Sequence, residues 1–195
     1  MLQRLLWAGM AACVLVLMGC AHSPQQLDPI PKLKGPITPV GQGQPVVVQI
    51  VDNRPSPVLG TRGGLYPETS AVTVPAERLR ARLQSETEAG VRLMGFTPAS
   101  GPQNIPHLTL TVAELKYQSP KDSVYVTEAV IRATLLVEVR VANRSYNGRY
   151  SATLDQKFGM APNEQTNNEL VSEVLSDVLS RVFKDQGIGQ LMLGR

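Results

Sequence analysis

Apolar and polar positions divide this chain into three stretches. An uncharged apolar run occupies Leu5 to Met18, a proline-punctuated polar stretch follows, and patterned strands and helices begin at Pro45. Within the patterned part, Val46-Val47-Val48-Gln49-Ile50-Val51 is β-branched and apolar, which predicts a buried strand. The stretch from Asp52 to Ser70 is rich in proline and glycine and predicts a loop. A short strand, Ala71-Val72-Thr73-Val74, follows, and Pro75 suits the first turn of a helix because the N–H it lacks would be unpaired there. Ala76, Leu79, Leu83, Gly90 or Val91, and Met94 share one helical face, with charged residues filling most of the remainder. Gly95 is placed to close that helix in a left-handed conformation, with Phe96 folding back over its last turn.

Leu108, Leu110 and Val112 alternate, and Leu115 and Tyr117 resume the alternation in the opposite phase. A pleat has period two, so the slip predicts a bulge near Ala113-Glu114. The longest alternation runs through Ile131, Ala133, Leu135, Val137, Val139 and Val141. A second places Tyr146, Tyr150, Ala152, Leu154 and Phe158 on one face. Two turns could join them, Ala142 to Ser145 or the pair Asn147-Gly148; the first keeps the alternation unbroken and is preferred. Thr166 and Glu169 match a capping box, and Leu170 to Phe183 carry a broad apolar helical face. Gly187 is expected to end that helix, leaving Ile188 to Leu193 as an apolar tail tucked onto the domain. One-sided alternation favours antiparallel pairing. The order β-β-α-β-β-β-α therefore predicts an α+β domain over residues 45–195, with a single antiparallel sheet of about five strands and two helices packed on one face.

The amino-terminal run changes the picture from a domain to an exported domain. It follows Arg4 and falls short of the roughly 20 residues that span a membrane, which fits a signal-peptide core. It ends in Leu17-Met18-Gly19-Cys20, similar to the lipobox cut between Gly19 and Cys20 by lipoprotein signal peptidase. Residues 1–19 then form the signal peptide, and Cys20 carries diacylglycerol and an N-acyl chain. Several acyl chains make such attachment effectively permanent. Ala21 follows the cysteine, and under the enteric-type sorting rule the lack of aspartate there implies the outer membrane, periplasmic face. Residues 20–44 read as the lipidated cysteine and a Pro-rich tether, able to reach roughly 70 Å at about 3.1 Å per residue.

Composition narrows the chemistry. The chain holds two cysteines. Cys13 leaves with the signal peptide and Cys20 is consumed by lipid, so no thiol remains for a disulfide, metal or catalysis. The net charge of +3 includes no lysine or arginine cluster, so no nucleic-acid partner is expected. His107 is the single histidine of the folded part, too few for the usual zinc ligand sets, and it reads as a strand-end residue. No P-loop, G-x-S-x-G or H-E-x-x-H pattern occurs. No catalytic residue, metal or cofactor is therefore expected.

The most pointed polar feature is Asp52-Asn53-Arg54 at the end of the first strand. In one reading Asp52 accepts N–H bonds in the following turn while Arg54 pairs with a surface carboxylate. In the other, Asp52 and Arg54 join Arg62 and Tyr66 of the long loop in a partner-binding surface.

Val48-Gln49-Ile50-Val51-Asp52-Asn53-Arg54 with Leu59-Gly60, the helix closing in Gly95-Phe96, the long strand pair, the final Val/Leu helix with Asp185 near its end, and the lipobox Cys20 together resemble the YajG family of Gram-negative lipoproteins. The resemblance covers nearly the whole mature domain. It implies an outer-membrane lipoprotein of undefined molecular role and supplies no catalytic residues. The expected function is a non-catalytic binding or accessory module of the cell envelope, held to the membrane by its lipid and engaging an envelope protein. A carrier or sensor of an acyl chain or small ligand is the alternative, and a periplasmic hydrolase a third reading.

Overall fold

The computed structural model of the protein describes residues 23–63, 67–101, 105–119 and 127–194. The signal peptide, Gly19, Cys20 and Tyr66 lie outside the described residues.

The elements are β1 (Gln25–Gln26), β2 (Pro45–Asp52), β3 (Val58–Thr61), a 3-10 turn (Pro67–Ser70), β4 (Ala71–Thr73), α1 (Ala76–Leu93), β5 (Thr97–Ala99), β6 (His107–Gln118), β7 (Thr127–Val141), β8 (Arg144–Phe158), α2 (Glu164–Lys184) and α3 (Gln186–Met192). They form an α+β fold, but with two mixed sheets where one antiparallel sheet was expected. The larger has the order β5-β2-β6-β7-β8 and the smaller the order β1-β4-β3. The correction lies in β2, which pairs in parallel with both β5 and β6. Its continuous Val/Ile run is what a strand flanked by parallel neighbours looks like. The one-sided alternation belongs to β6, β7 and β8, whose mutual pairings are antiparallel.

Several local expectations hold. The β6–β7 register shifts between Val112 and Glu114, where the phase slip put the bulge. β7 and β8 are joined by Ala142 and Asn143, with Ala142 at φ 50°, so Asn147-Gly148 lies within a strand. Gly95 has φ 88°, its N–H donates to the Arg92 carbonyl, and the Phe96 N–H donates to the Val91 carbonyl. This is a Schellman closure, with Phe96 buried over the last turn.

Other expectations need correcting. The 52–70 stretch is not structureless, since β3 within it pairs antiparallel with β4. Asn163, not Thr166, caps α2, its side chain accepting the Thr166 N–H at 2.8 Å. The helix ends at Lys184, ahead of Gly187, and the apolar tail is a second short helix whose Ile188, Leu191 and Met192 are buried.

Helices α1 and α2 cover one face of the large sheet, α1 over β2 and α2 over β7 and β8. Leu79 and Leu83 of α1 and Leu175 and Leu179 of α2 meet Leu108, Leu110, Ile131 and Leu135, all with 0% exposure. The opposite face of β7 and β8 carries Arg132, Arg140, Arg149, Ser151 and Thr153 in the open.

The largest correction concerns residues 23–44, expected to be a free tether. They form a strap on the domain. Leu27 is 1% exposed, and Pro29 and Pro31 are buried. The N–H groups of Asp28, Ile30, Lys32 and Lys34 donate in turn to side-chain oxygens of Asn168, Ser172, Ser176 and Ser180, at 2.8–2.9 Å. The periods match: two residues of extended polyproline-like chain advance about 6.2 Å, and four residues of α-helix about 6.0 Å. Prolines are tolerated at 29 and 31 because only the alternate N–H groups face the helix. The Leu33 N–H turns to Glu86 of α1 at 2.7 Å, and Arg82 of α1 pairs with Asp28. The strap thus lies in the groove between the two helices.

Candidate functional site

The polar residues that drew notice in the sequence fall at the two ends of β3. At its start, the chain turns out of β2 and brings Arg54 back onto Asp52. The Arg54 Nε donates to Asp52 Oδ1 at 2.8 Å, Nη2 to Oδ2 at 2.7 Å, and the Arg54 N–H to Oδ1 at 3.2 Å. Nη2 also reaches the Val74 carbonyl at 3.1 Å, just before α1. The two side chains are 3% and 5% exposed. Asp52 does accept a turn N–H, but the partner of Arg54 is Asp52 itself and not a surface carboxylate. A pair this buried offers little surface of its own to another molecule. What they do is join the end of β2 to the segment leading into α1.

At the far end of β3 sits Arg62, 7% exposed. It donates to the Ser23 carbonyl, the first described residue of the strap. Gln25 and Asn167 lie beside it, their side-chain amides 2.7 Å apart. Tyr117 completes the group. Burial pushes its hydroxyl up to about 12, against the opposing pull of Arg62 and Asn167. Burial also draws Arg62 below its ordinary value. Strap, β3, the end of β6 and the start of α2 therefore meet at one buried polar junction. The sequence named Arg62 but not its companions Gln25, Asn167 and Tyr117, because their partners lie far along the chain.

A third cluster closes the carboxyl-terminal end. Asp185 accepts the hydroxyls of Tyr146 and Tyr150, each at 2.6 Å, and the Gly187 N–H at 2.8 Å. Burial alone would raise the Asp185 carboxyl, but these three donors outweigh it and hold the group below the usual carboxylate range. The arrangement fixes α3 against β8. Tyr146 and Tyr150 are partly buried members of the apolar face, as their phase in the strand predicted.

A groove of about 510 Å³ opens where β3 crosses β6, with Arg54, Val58, Glu114, Lys116 and Arg149 among its lining residues. Lys116 pairs with Glu114 at 2.8 Å, and this hydrogen bond holds the Glu114 carboxyl low. His107 is half-buried at the head of β6, where a strand-end histidine was expected, and among the described residues its Nε2 is buried without a hydrogen-bond partner. Among the described residues, no three His, Cys, Asp or Glu side chains converge as a metal would require. No described helix is long and apolar enough to cross a membrane.

Fold and junction together define a small α+β domain that incorporates its own N-terminal segment. The chain belongs to the YajG-like family of uncharacterized lipoproteins, whose model matches residues 31–192. That family carries no catalytic assignment. No curated protein matches the sequence.

Among solved structures, the chain is similar to protein XCC0632 from Xanthomonas campestris. The identity is 12%, covering 88% of this chain and 95% of that one, with a TM-score of 0.48. It is similar also to the rare lipoprotein B from Shewanella oneidensis, at 13% identity over 76% and 99% of the two chains, TM-score 0.44. A minor lipoprotein from Acinetobacter baumannii matches at 12% identity over 77% and 91%, TM-score 0.42.

Proposed function

We propose that this protein is a non-catalytic accessory lipoprotein of the cell envelope, anchored through acyl chains on Cys20 to the periplasmic face of the outer membrane. Its strap holds the folded body directly at that surface, where it engages another envelope protein. The observation that carries this reading is the clamp on Ser23. The chain is already part of the body at Ser23, through the bond from Arg62 and the Gln25–Asn167 contact that follows. Three peptide steps separate Cys20 from Ser23, at most about 11 Å. The domain is then a membrane-surface module and not one reaching far into the periplasm.

The absence of catalysis is supported by where the ionisable groups go. Asp52, Arg54 and Asp185 are consumed in structural contacts. A carrier of an acyl chain would hold it between sheet and helices, where fully buried leucines of both layers occupy the interior. The groove over β6 lies outside that layer and mixes charge with apolar surface.

The test is Cys20→Ala in cells fed a radiolabelled fatty acid, followed by density-gradient separation of the two membranes. The original chain is expected to carry label and sediment with the outer membrane, while the variant is unlabelled, keeps its uncut leader and is missing from the outer membrane. Label retained on the variant, or inner-membrane density for the original chain, would refute the assignment of the anchor or of its membrane.

A further inference from the structure

The large sheet ends on one side in a strand whose edge is open among the described residues. β8 runs from Arg144 to Phe158, pairs with β7 without a register shift, and contains no proline. Among the described residues, no backbone group of β8 bonds to anything outside that pairing. The other sheet edges are blunt: β5 has 3 residues and includes Pro98, β1 has 2 residues, and β3 has 4. Long, flat, unprotected edges recruit another strand, so proteins that must avoid this shorten, bulge or cap them. β8 is neither shortened nor bulged nor covered, and the one guard it carries is charge, at Arg149, Asp155 and Lys157.

Its side chains specify which strand. A two-fold axis perpendicular to the sheet would pair β8 antiparallel with its own copy and keep both helical layers on the same side. Residues opposite one another then sum to an even number, which leaves a few discrete registers. With the axis at Ala152, Arg149 faces Asp155 of the second copy, Asn147 faces Lys157, and Ser151 faces Thr153. On the helix side Tyr146 faces Phe158, Tyr150 faces Leu154, and Ala152 faces itself. Every charged side chain between Tyr146 and Phe158 meets an opposite charge or a neutral polar group, and each aromatic meets an apolar one. Moving the axis to Thr153 sets Arg149 against Lys157, a like-charge pair that cross-strand geometry penalises. Moving it to Ser151 faces Arg149 with Thr153 and Tyr150 with Ala152, losing the ion pair and the apolar match.

Three observations fit this use. Arg149 and Asp155 are exposed and neither forms a salt bridge among the described residues, although Arg149 also lines the groove over β6 near Glu114. Tyr146, Tyr150, Leu154 and Phe158 are only partly buried, forming an apolar rim along the open edge. The hydroxyls of Tyr146 and Tyr150 are already fixed on Asp185, so their rings need no further ordering on association. We infer that the protein self-associates through β8, joining two five-stranded sheets into one continuous sheet with the two-fold axis at Ala152.

The test uses the full chain extracted from membranes in mild detergent. Sedimentation equilibrium is expected to show a reversible dimer. Arg149→Glu and Asp155→Arg should each weaken it by roughly tenfold or more, since each places two like-charge pairs in the interface. The double variant Arg149→Glu/Asp155→Arg restores both pairs and should return the dissociation constant to within about threefold of the original. These positions are exposed, so melting temperatures measured at concentrations where the chain is monomeric should not move. Independently, Ser151→Cys/Thr153→Cys should give a disulfide-linked dimer on a non-reducing gel, with the unsubstituted chain as control for Cys13 and Cys20. A chain that stays monomeric at all concentrations and yields no linked dimer overturns the inference. So does a double variant that folds but fails to recover association, or a disulfide formed with a different protein.

Discussion

The backbone N–H of Lys32 donates to the Ser176 hydroxyl at 2.8 Å, and that hydroxyl in turn donates to the Ser172 carbonyl at 2.6 Å. The same relay repeats one helical turn earlier, from Ile30 through Ser172, and one turn later, from Lys34 through Ser180. Serine is the smallest side chain that can accept from the strap and donate to its own helix at once. Mid-helix serines weaken a helix by competing for its backbone. Here they serve as the rungs on which an extended chain is laid.

Replacing Ser172, Ser176 and Ser180 together by alanine should therefore release the strap. A net hydrogen bond contributes about 0.5–1.5 kcal/mol, so the triple variant should lose roughly 2–4 kcal/mol. Trypsin should then cleave after Lys32 and Lys34 much faster than in the original chain, while far-UV circular dichroism remains native. Unchanged cleavage at those two lysines would show that Leu27 and the buried prolines hold the strap without the serines.

Arg54→Ala strands a buried carboxylate. Removing one member of a buried ion pair typically costs about 3–5 kcal/mol, because the remaining charge is left without compensation. Denaturant titration should show that loss for Arg54→Ala, whereas Asp52→Ala/Arg54→Ala should cost less than the sum of the two single changes. If both positions tolerated alanine with no change in midpoint, the pair would not be a structural bond between β2 and α1.

Asp185 makes part of the stability dependent on pH. Its carboxyl is held below the ordinary value of 3.8 by the hydrogen bonds it accepts, which overcome its burial. A depressed carboxyl contributes stability that is fully present above its unfolded value and lost as pH falls through the folded one. Asp185→Asn should thus lower the melting temperature at neutral pH, and the gap between variant and original should shrink as pH falls below about 3.8. A gap that stayed constant down to pH 2 would mean the tyrosine hydroxyls do not favour the charged form.

Legibility differed sharply between features. The Schellman closure at Gly95-Phe96, the bulge beside Ala113 and the apolar face of α2 were read from residues at most a turn or a pleat apart, because each is set by local backbone geometry. Asp52 and Arg54 were legible as a notable pair but not as each other's partner, since their burial depends on β3, β4 and α1 closing over them. Arg62 was legible only as a loop residue, and its bond to Ser23 spans 39 positions of chain.

What the sequence determined by itself is the set of elements whose periodicity is short and strong. These are the alternating strands β6, β7 and β8, the two amphipathic helices, and the uncharged apolar run from Leu5 to Met18. Hydrophobic burial selects one face of each element irrespective of which neighbour covers it, so those faces are written locally. Tertiary structure alone decided the parallel pairing of β2, the existence of β1, β3 and β5, and the fate of residues 23–44. A proline-rich segment has no internal hydrogen bonds and too few apolar groups to fold on its own, so its composition reads as a tether. It becomes part of the body only because a ladder of asparagine and serine, repeating every four residues on a helix far along the chain, happens to match its own advance per two residues.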